Sequence, residues 1–267
     1  MPELPEVETI RRQLGPLVVG RSLHGAWAFP HAKFLPALDA AGAVVEGLGR
    51  RGKYLILSLD DDRDLVIHLG MTGSLRVRPP GDGGDGHVRA WWALDAVDGE
   101  TLEYRDIRRF GRLAVTERGQ YRGTLAVQGP DALDPALTAE DLWRALRRSR
   151  RAMKTQLLSQ RPIAGVGNIY GDEALWRAGV HPGRRTVTRR QAADLLDAVR
   201  DVLHEGIRHG GTTLRDYRAV DGRPGRNQRR LDAYGRAGLP CRRCGTPLRS
   251  TVLDGRTTTW CARCQPR

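Results

Sequence analysis

The four cysteines of this 267-residue chain stand as Cys241-Arg242-Arg243-Cys244 and Cys261-Ala262-Arg263-Cys264. Two C-x-x-C pairs at that separation can close a four-thiolate zinc site. Two disulfides are the alternative pairing, and they are rare in a chain kept in a reducing compartment. Between the pairs, Pro247, Asp254-Gly255 and the β-branched run Thr257–Thr259 read as a hairpin, so the metal would prop up a small β finger. At the other end, Met1-Pro2-Glu3-Leu4-Pro5-Glu6-Val7-Glu8-Thr9 places two prolines and three acids where most domains have a frayed tail. With Met1 trimmed, Pro2 exposes a secondary amine of pKa about 8, against about 10.4 for a lysine. Such an amine is partly neutral at neutral pH and can attack an electrophilic carbon, while a carboxyl group beside it moves protons. The same residues also make a plain helix start, with Pro5 at the first helical position and Glu6 and Glu8 facing the dipole. From these residues alone both readings stand.

The background against which these groups work is strongly basic. Lys+Arg total 44 against 31 Asp+Glu, a net charge of +13 with a pI near 10.5, which points to a polyanionic partner and, in a soluble chain, to nucleic acid. No apolar run reaches the roughly 18 residues needed to span a bilayer, and the acidic N-terminus is unlike a signal peptide, so no membrane partner is expected and the cytoplasm or nucleoid is. Only Lys33, Lys53 and Lys154 are lysines among the basic residues. Arginine does not replace lysine where a compact point charge is required, which singles out these three positions.

The elements that must position these groups fall into blocks. Val7, Ile10, Leu14 and Leu17 recur at helical spacing and predict an amphipathic helix ending near Gly20, which would pin the N-terminus. From Arg21 to about Thr116 come eight short β-type runs: Leu23–Phe29, Ala43–Leu48, Tyr54–Leu59, Leu65–His68, Ser74–Val77, Arg89–Leu94, Thr101–Tyr104 and Arg112–Val115. That spacing predicts a sandwich or barrel. Pro79–Gly86 is expected to be a mobile loop. The pattern loosens into a linker over 119–135, and helices follow. Thr138 with Asp141 caps one, with Leu142, Trp143 and Leu146 as its apolar face. Met153–Ser159 forms a second after the dense basic run Arg147, Arg148, Arg150 and Arg151, which favours phosphate contact. Gly165-Val166-Gly167-Asn168-Ile169-Tyr170 is a glycine turn opening a helix over Asp172–Ala178, able to hold a phosphate oxygen on its backbone N–H groups. It is not a dinucleotide fingerprint, because Tyr170 occupies the place of the third glycine and no strand precedes it. Thr188 with Gln191 caps the longest helix, with a core stripe from Ala192 to Ile207. From Asp221 onward the chain carries eleven Arg and three Asp, a balance that suits a finger gripping DNA.

Taken together, the residues resemble one family, the bacterial formamidopyrimidine-DNA glycosylases related to endonuclease VIII. The resemblance covers essentially the whole chain. It rests on Pro2 to Glu8, Gly52-Lys53-Tyr54-Leu55, His68-Leu69-Gly70-Met71-Thr72-Gly73, Arg108-Arg109-Phe110-Gly111, Gly165 to Tyr170, Gly210-Gly211-Thr212-Thr213-Leu214, Tyr234-Gly235-Arg236 and the four-cysteine finger. It implies an α+β multidomain protein. The N-terminal helix and β-sandwich would occupy 1–118, a linker 119–135, a helical helix-two-turns-helix domain 136–225, and the damaged-base loop with a C-terminal zinc finger 226–267.

The resemblance also implies an activity and its residues. The chain would be a bifunctional DNA glycosylase and AP lyase of base excision repair. It would act as a monomer on double-stranded damaged DNA, with one structural Zn2+ on Cys241, Cys244, Cys261 and Cys264. An oxidised purine, 8-oxoguanine or a formamidopyrimidine, would be flipped into a pocket. Met71, Arg108 and Phe110 would fill the void, Arg108 also meeting O2 and N3 of the orphaned cytosine. Pro2 would form a Schiff base at C1′ and Glu3 would protonate the sugar ring oxygen. Glu6 would position groups or transfer protons, and β,δ-elimination would cut the strand. Lys53 would serve the catalytic site by holding a phosphate near the reaction centre, Lys154 and Asn168 would form a phosphate clamp in the helical domain, Arg256 would grip a phosphate from the finger, Tyr170 would pack, and Lys33 matches none of these roles. Two departures bear on this picture. Ile107 stands where the family usually has Pro, which is expected to relax the wedge loop without removing its side chains. Asn227 in Pro224-Gly225-Arg226-Asn227-Gln228 replaces an aromatic, so oxidised pyrimidines or bulkier lesions are an alternative substrate, and a catalytically inactive lesion-binding protein is a second alternative.

Overall fold

The computed structural model describes residues 1–79, 85–95 and 99–267, so most of the Pro79–Gly86 connection lies outside the described residues. The chain opens with α1 (Leu4–Val18). Strands follow as β1 (Leu23–Ala28), β2 (Val45–Arg51), β3 (Tyr54–Leu59), β4 (Arg63–His68), β5 (Gly73–Arg78), β6 (Val88–Leu94), β7 (Thr101–Asp106) and β8 (Arg112–Glu117), with a 3-10 turn at Leu35–Ala40. All eight expected strands are present, and the largest shift of an end is at β2, which runs on to Arg51 rather than stopping at Leu48. They form two four-stranded antiparallel sheets, ordered β1-β6-β7-β5 and β2-β3-β4-β8, which settles the architecture as a sandwich. Alternation supplies the filling: Leu55, Leu57, Leu59, Leu65 and Ile67 of one sheet meet Trp92, Leu102 and Tyr104 of the other in one core.

The helix α1 closes one side of this core with Val7, Ile10, Leu14 and Val18, all fully buried. Leu17, expected on that face, is 42% exposed, because a 3.6-residue period carries the stripe from Leu14 to position 18. Glu8 anchors the helix. It is 6% exposed and pairs with Arg11, Arg12 and Arg50 at 2.8, 2.8 and 3.1 Å. Burial alone would raise its carboxyl pKa, but the arginine hydrogen bonds and charges override it and hold the group down at about 2.

The remaining elements are α2 (Gly123–Val127), α3 (Ala139–Arg147), α4 (Met153–Leu158), α5 (Asn168–Arg177), α6 (Arg189–Arg208) and the hairpin β9 (Arg249–Leu253) with β10 (Arg256–Trp260). Both capping boxes form, Thr138 with Asp141 and Thr188 with Gln191. The short α2 lies within the stretch read as linker. Asp254 and Gly255 both take positive φ, the geometry of a tight two-residue hairpin turn.

Two compact units divide the chain: Met1–Ala126 with His209–Arg226, and Val127–Arg208 with Asn227–Arg267. This division differs from the expected one, which kept 209–225 with the helices. The physical reason is local. Thr212 N–H donates to the Glu6 carboxylate at 2.6 Å and Val220 N–H to Gln13 at 2.9 Å, so the segment after α6 is bonded to α1. Among the described residues no helix is long and apolar enough to cross a membrane.

Candidate active site and nucleic-acid interface

The N-terminal residues are held as firmly as a core segment. Pro2 is buried, Glu3 is 2% exposed and Glu6 1%. Glu6 accepts two backbone hydrogen bonds, from Glu3 N–H at 2.8 Å and from Thr212 N–H at 2.6 Å. The first of these peptides is the one that follows Pro2, so the Glu6 carboxylate fixes the proline ring's attachment. Gly211 makes the second contact possible: its φ is +86°, and a Cβ there would stand 2.9 Å from Glu6 Cγ. Gly225 packs its backbone on the same loop, where a Cβ would fall 2.1 Å from Gly211 O, and its N–H donates to Thr213 Oγ1 at 2.9 Å. The Gly-Gly-Thr-Thr motif is thus a backbone cradle for Glu6.

Lys53 sits in the two-residue turn joining β2 to β3, where Gly52 takes φ +57° and allows the tight reversal. Its residue is only 7% exposed. Beside it runs a cross-strand row, Tyr54 opposite His68 opposite Arg112. The Tyr54 and His68 rings lie 4.7 Å apart, and His68 Nδ1 accepts Gly70 N–H at 3.2 Å. Burial, then the charges of Lys53 and Arg112, push the His68 pKa down to about 4, so the ring is neutral at physiological pH. Sequence reasoning quoted His68 within its motif and gave it no role.

Met71, Arg108 and Phe110 lie on two adjoining turns. Phe110 is 49% exposed, a large apolar group left in solvent, and the Arg108 guanidinium stacks 5.0 Å from its ring centre. The turns touch backbone to backbone, since a Cβ on Gly70 would stand 2.4 Å from Gly111 N. Ile107 is 41% exposed, and the loop it opens is ordered by hydrogen bonds rather than by a proline.

In the second unit, Lys154 is 1% exposed and bonded to Asp172 at 2.6 Å and to the Thr257 carbonyl at 2.8 Å. Asp172 also accepts Thr259 N–H at 2.9 Å. Lys154 is therefore the centre of a buried joint between α4, α5 and β10. Burial raises the Asp172 carboxyl to about 7 against the pull of the lysine. Asn168 opens α5 with its side-chain Oδ1 buried and without a hydrogen bond among the described residues. Tyr170 is fully buried against Gly206, where a Cβ would meet its hydroxyl at 2.5 Å, so it packs as expected. Arg256 is exposed and borders a cleft of about 230 Å³ with Arg151, Thr155 and Ser159. Asn227 is 4% exposed and opens a 3-10 turn, Asn227–Arg230. Glu173, which sequence reasoning missed, is 2% exposed and accepts the N–H groups of Asp232, Ala233 and Tyr234 at 2.8, 2.9 and 2.8 Å. A buried acid serving three backbone donors leaves no trace in spacing.

The four cysteine sulfurs lie within 4.8 Å of one another, with Cys241 and Cys264 at 3.9 Å and Cys244 and Cys261 at 3.5 Å. These distances exclude disulfides, and tetrahedral Zn–S bonds of about 2.3 Å require sulfurs about 3.8 Å apart. The cluster fits one structural zinc, packed on Trp176, Ala233 and Leu248.

Comparison with known proteins agrees domain by domain. The formamidopyrimidine-DNA glycosylase N-terminal domain matches residues 1–113, that family's H2TH domain 128–218, and the zinc finger found in FPG and IleRS 238–267. The formamidopyrimidine-DNA glycosylase of Thermomicrobium roseum is 44% identical over 287 positions, covering 100% of this chain and 99% of the relative. This chain belongs to the formamidopyrimidine-DNA glycosylase family. Among solved structures of formamidopyrimidine-DNA glycosylases, the MutM (Fpg) protein of Thermus thermophilus is 45% identical with a TM-score of 0.90, covering 99% of this chain and 98% of that one. A Lactococcus lactis Fpg mutant in complex with Fapy-dG containing DNA is 32% identical, with a TM-score of 0.89 and 100% of both chains covered. Family membership thus rests on every domain, the finger included.

Proposed function

We propose that this chain is a bifunctional DNA glycosylase and AP lyase of base excision repair, acting as a monomer in the cytoplasm and nucleoid on oxidised purines in double-stranded DNA. The observation that carries this reading is the Glu6 clamp: a chain terminus is held in the core by two backbone bonds to one buried carboxylate. Chain termini are poorly ordered unless they are tied down in some such way, and here the tie fixes the position of Pro2.

Once Met1 is removed, the Pro2 nitrogen is a free secondary amine. It attacks C1′ of the flipped nucleotide, the glycosidic bond breaks and the base leaves with a proton. Glu3 delivers a proton to the ring oxygen, the sugar opens, and an iminium cation, formed once the amine has given up its N–H proton to the departing base, joins Pro2 to C1′. That cation acidifies C2′, so loss of a C2′ proton expels the 3′ phosphate, and a second elimination expels the 5′ phosphate. Both Glu6 oxygens are occupied by N–H donors, which supports a positioning role over proton transfer.

Lys53, Asn168 and Arg256 are assigned to phosphates: a turn lysine, an amide at a helix N-terminus and an exposed finger arginine are suitable donors. Lys154 is reassigned as the structural joint between the finger hairpin and the helices, because its ammonium faces Asp172 and Thr257 inside the unit. Met71, Arg108 and Phe110 are the wedge. Asn227 is a buried polar residue where an aromatic is usual, which supports a lesion preference shifted toward oxidised pyrimidines or bulkier bases as the second reading.

Borohydride reduction in the presence of 8-oxoguanine duplex should trap a covalent adduct, lost in Pro2→Gly. An undiminished adduct in that variant would sink the proline mechanism, and mass measurement of the mature N-terminus checks that Met1 is gone. Excision across a panel of defined oxidised purines and pyrimidines separates the two substrate readings.

A further inference from the structure

Asp106, at the end of β7, is fully buried and its carboxylate joins the two wedge turns. One oxygen accepts the Thr72 hydroxyl at 2.6 Å; the other accepts Gly111 N–H at 2.8 Å and the Tyr104 hydroxyl at 3.4 Å. Thr72 Oγ1 in turn accepts Arg108 N–H at 3.0 Å. The loop from Arg108 to Gly111 is therefore bracketed at both ends by a single charge, once directly and once through the residue that follows Met71. The glycines around it permit nothing looser: a Cβ on Gly111 would overlap the Tyr104 hydroxyl at 1.7 Å, and one on Gly73 would overlap Leu69 O at 2.1 Å.

The middle of the loop needs a further restraint. Arg109 takes φ +54°, a left-handed conformation that a non-glycine residue keeps only when its surroundings hold it. Its carbonyl accepts the Lys33 ammonium at 3.0 Å, and its guanidinium lies 5.8 Å from the Phe29 ring. Lys33 is itself fixed to the start of β8, since its carbonyl accepts Leu113 N–H at 2.8 Å. A half-buried lysine thus crosses from the segment before the 3-10 turn to the one strained peptide between Arg108 and Phe110.

We propose that Lys33 and Asp106 are positioning residues that lock the Met71 turn and the Arg108–Phe110 loop into one rigid insertion unit, so that the three side chains enter the duplex together. This rests on the reading of those side chains as void-filling. A preorganised wedge avoids ordering the loop at the moment the base leaves the stack, which speeds flipping without touching the chemistry at Pro2.

The test uses full-length zinc-loaded enzyme and four variants: Lys33→Met, Thr72→Val, Phe110→Ala and the Lys33→Met/Phe110→Ala pair. Single-turnover excision of a lesion in duplex DNA should fall on the order of tenfold in Lys33→Met, the scale of one lost charge-assisted hydrogen bond. The fluorescence rise of 2-aminopurine beside the lesion, which reports insertion, should slow by the same factor. Cleavage of an abasic site in single-stranded DNA, where no stack needs refilling, should stay at the wild-type rate. Thr72→Val should repeat the pattern, and the paired variant should lose less than the product of the two single losses, because both act through one insertion unit. If Phe110→Ala slows duplex excision while Lys33→Met and Thr72→Val do not, or if Lys33→Met slows the single-stranded reaction equally, the positioning role is overturned. If Phe110→Ala itself acts at the wild-type rate, it is the wedge reading beneath the proposal that fails.

Discussion

At the scale of single residues, the groups whose chemistry is unusual announced themselves, and the groups that hold them did not. The four cysteines were legible because few other roles suit paired C-x-x-C, whereas the prolines and acids at the N-terminus read equally as a plain helix start until the motifs elsewhere in the chain were set beside them. Glu6 was legible as a candidate, but its task emerged only with Thr212 N–H opposite it. Glu6→Gln turns one of its two acceptors into a donor facing an N–H. Destabilisation of roughly 1–3 kcal/mol is expected in urea unfolding, together with a larger loss of borohydride-trapped adduct than of DNA affinity. Equal losses in trapping and affinity would count against a role at Pro2. His68 gives a pH signature. Its pKa is depressed to about 4 in the fold, against about 6.5 in the unfolded chain, so the unfolded state binds the extra proton between those values. Stability should therefore be whole above pH 6.5 and decline as pH falls toward 4. His68→Gln should flatten that decline, and equilibrium melts at about pH 7 and about pH 5 measure it.

At the scale of elements, the strands were readable from their period of two, and the capped helices from Thr138 and Thr188. Helix ends were less so: α5 begins at Asn168 rather than Asp172, because Gly167, inside the glycine turn, already serves as the cap. The short α2 was missed, since five residues give too few turns for any period to show. The joint of α4, α5 and β10 rests on Lys154 and Asp172, a pair that no helical or strand spacing could match at their separation in the chain. Lys154→Met leaves Asp172 buried without its cation, a change expected to cost roughly 3–5 kcal/mol. The cost should be greater at about pH 8 than at about pH 6, because the stranded carboxyl can take up a proton at the lower pH. Hydrogen exchange at Thr257–Thr259 should quicken in the same variant, and unchanged exchange there would argue against the joint. On α1, Glu8 acts with the opposite sign to a buried neutral acid. Its carboxyl is held at about 2, so its stabilisation is present above pH 4.5 and is lost as pH falls toward 2. Glu8→Gln should remove that part of the acid transition.

For the whole molecule, +13 of net charge and a thiolate-bound metal set the measurable behaviour. DNA affinity should fall steeply with salt, with a log–log slope of about 0.9 per phosphate neutralised. Replacing Lys53 or Arg256 by Met should lower that slope by about one each, while Lys154→Met, now read as structural, should change stability more than slope. Chelation of zinc should unfold the finger and weaken DNA binding with it, because structural zinc supplies folding free energy. Circular dichroism and binding followed during chelator titration should change together.

The sequence by itself determined the order of the blocks, the eight strands of the sandwich, the zinc ligands and the family, because these depend on local period, local spacing and residue type. Only the tertiary structure decided that 209–226 groups with the N-terminal unit, that Lys154 faces Asp172 in a buried ion pair, and that Lys33 and Asp106 hydrogen-bond to the loop from Arg108 to Gly111. Each of those outcomes depends on which distant donor meets which buried acceptor. Such pairings are set by how the packed elements bring the chain together, and no interval along the sequence encodes them.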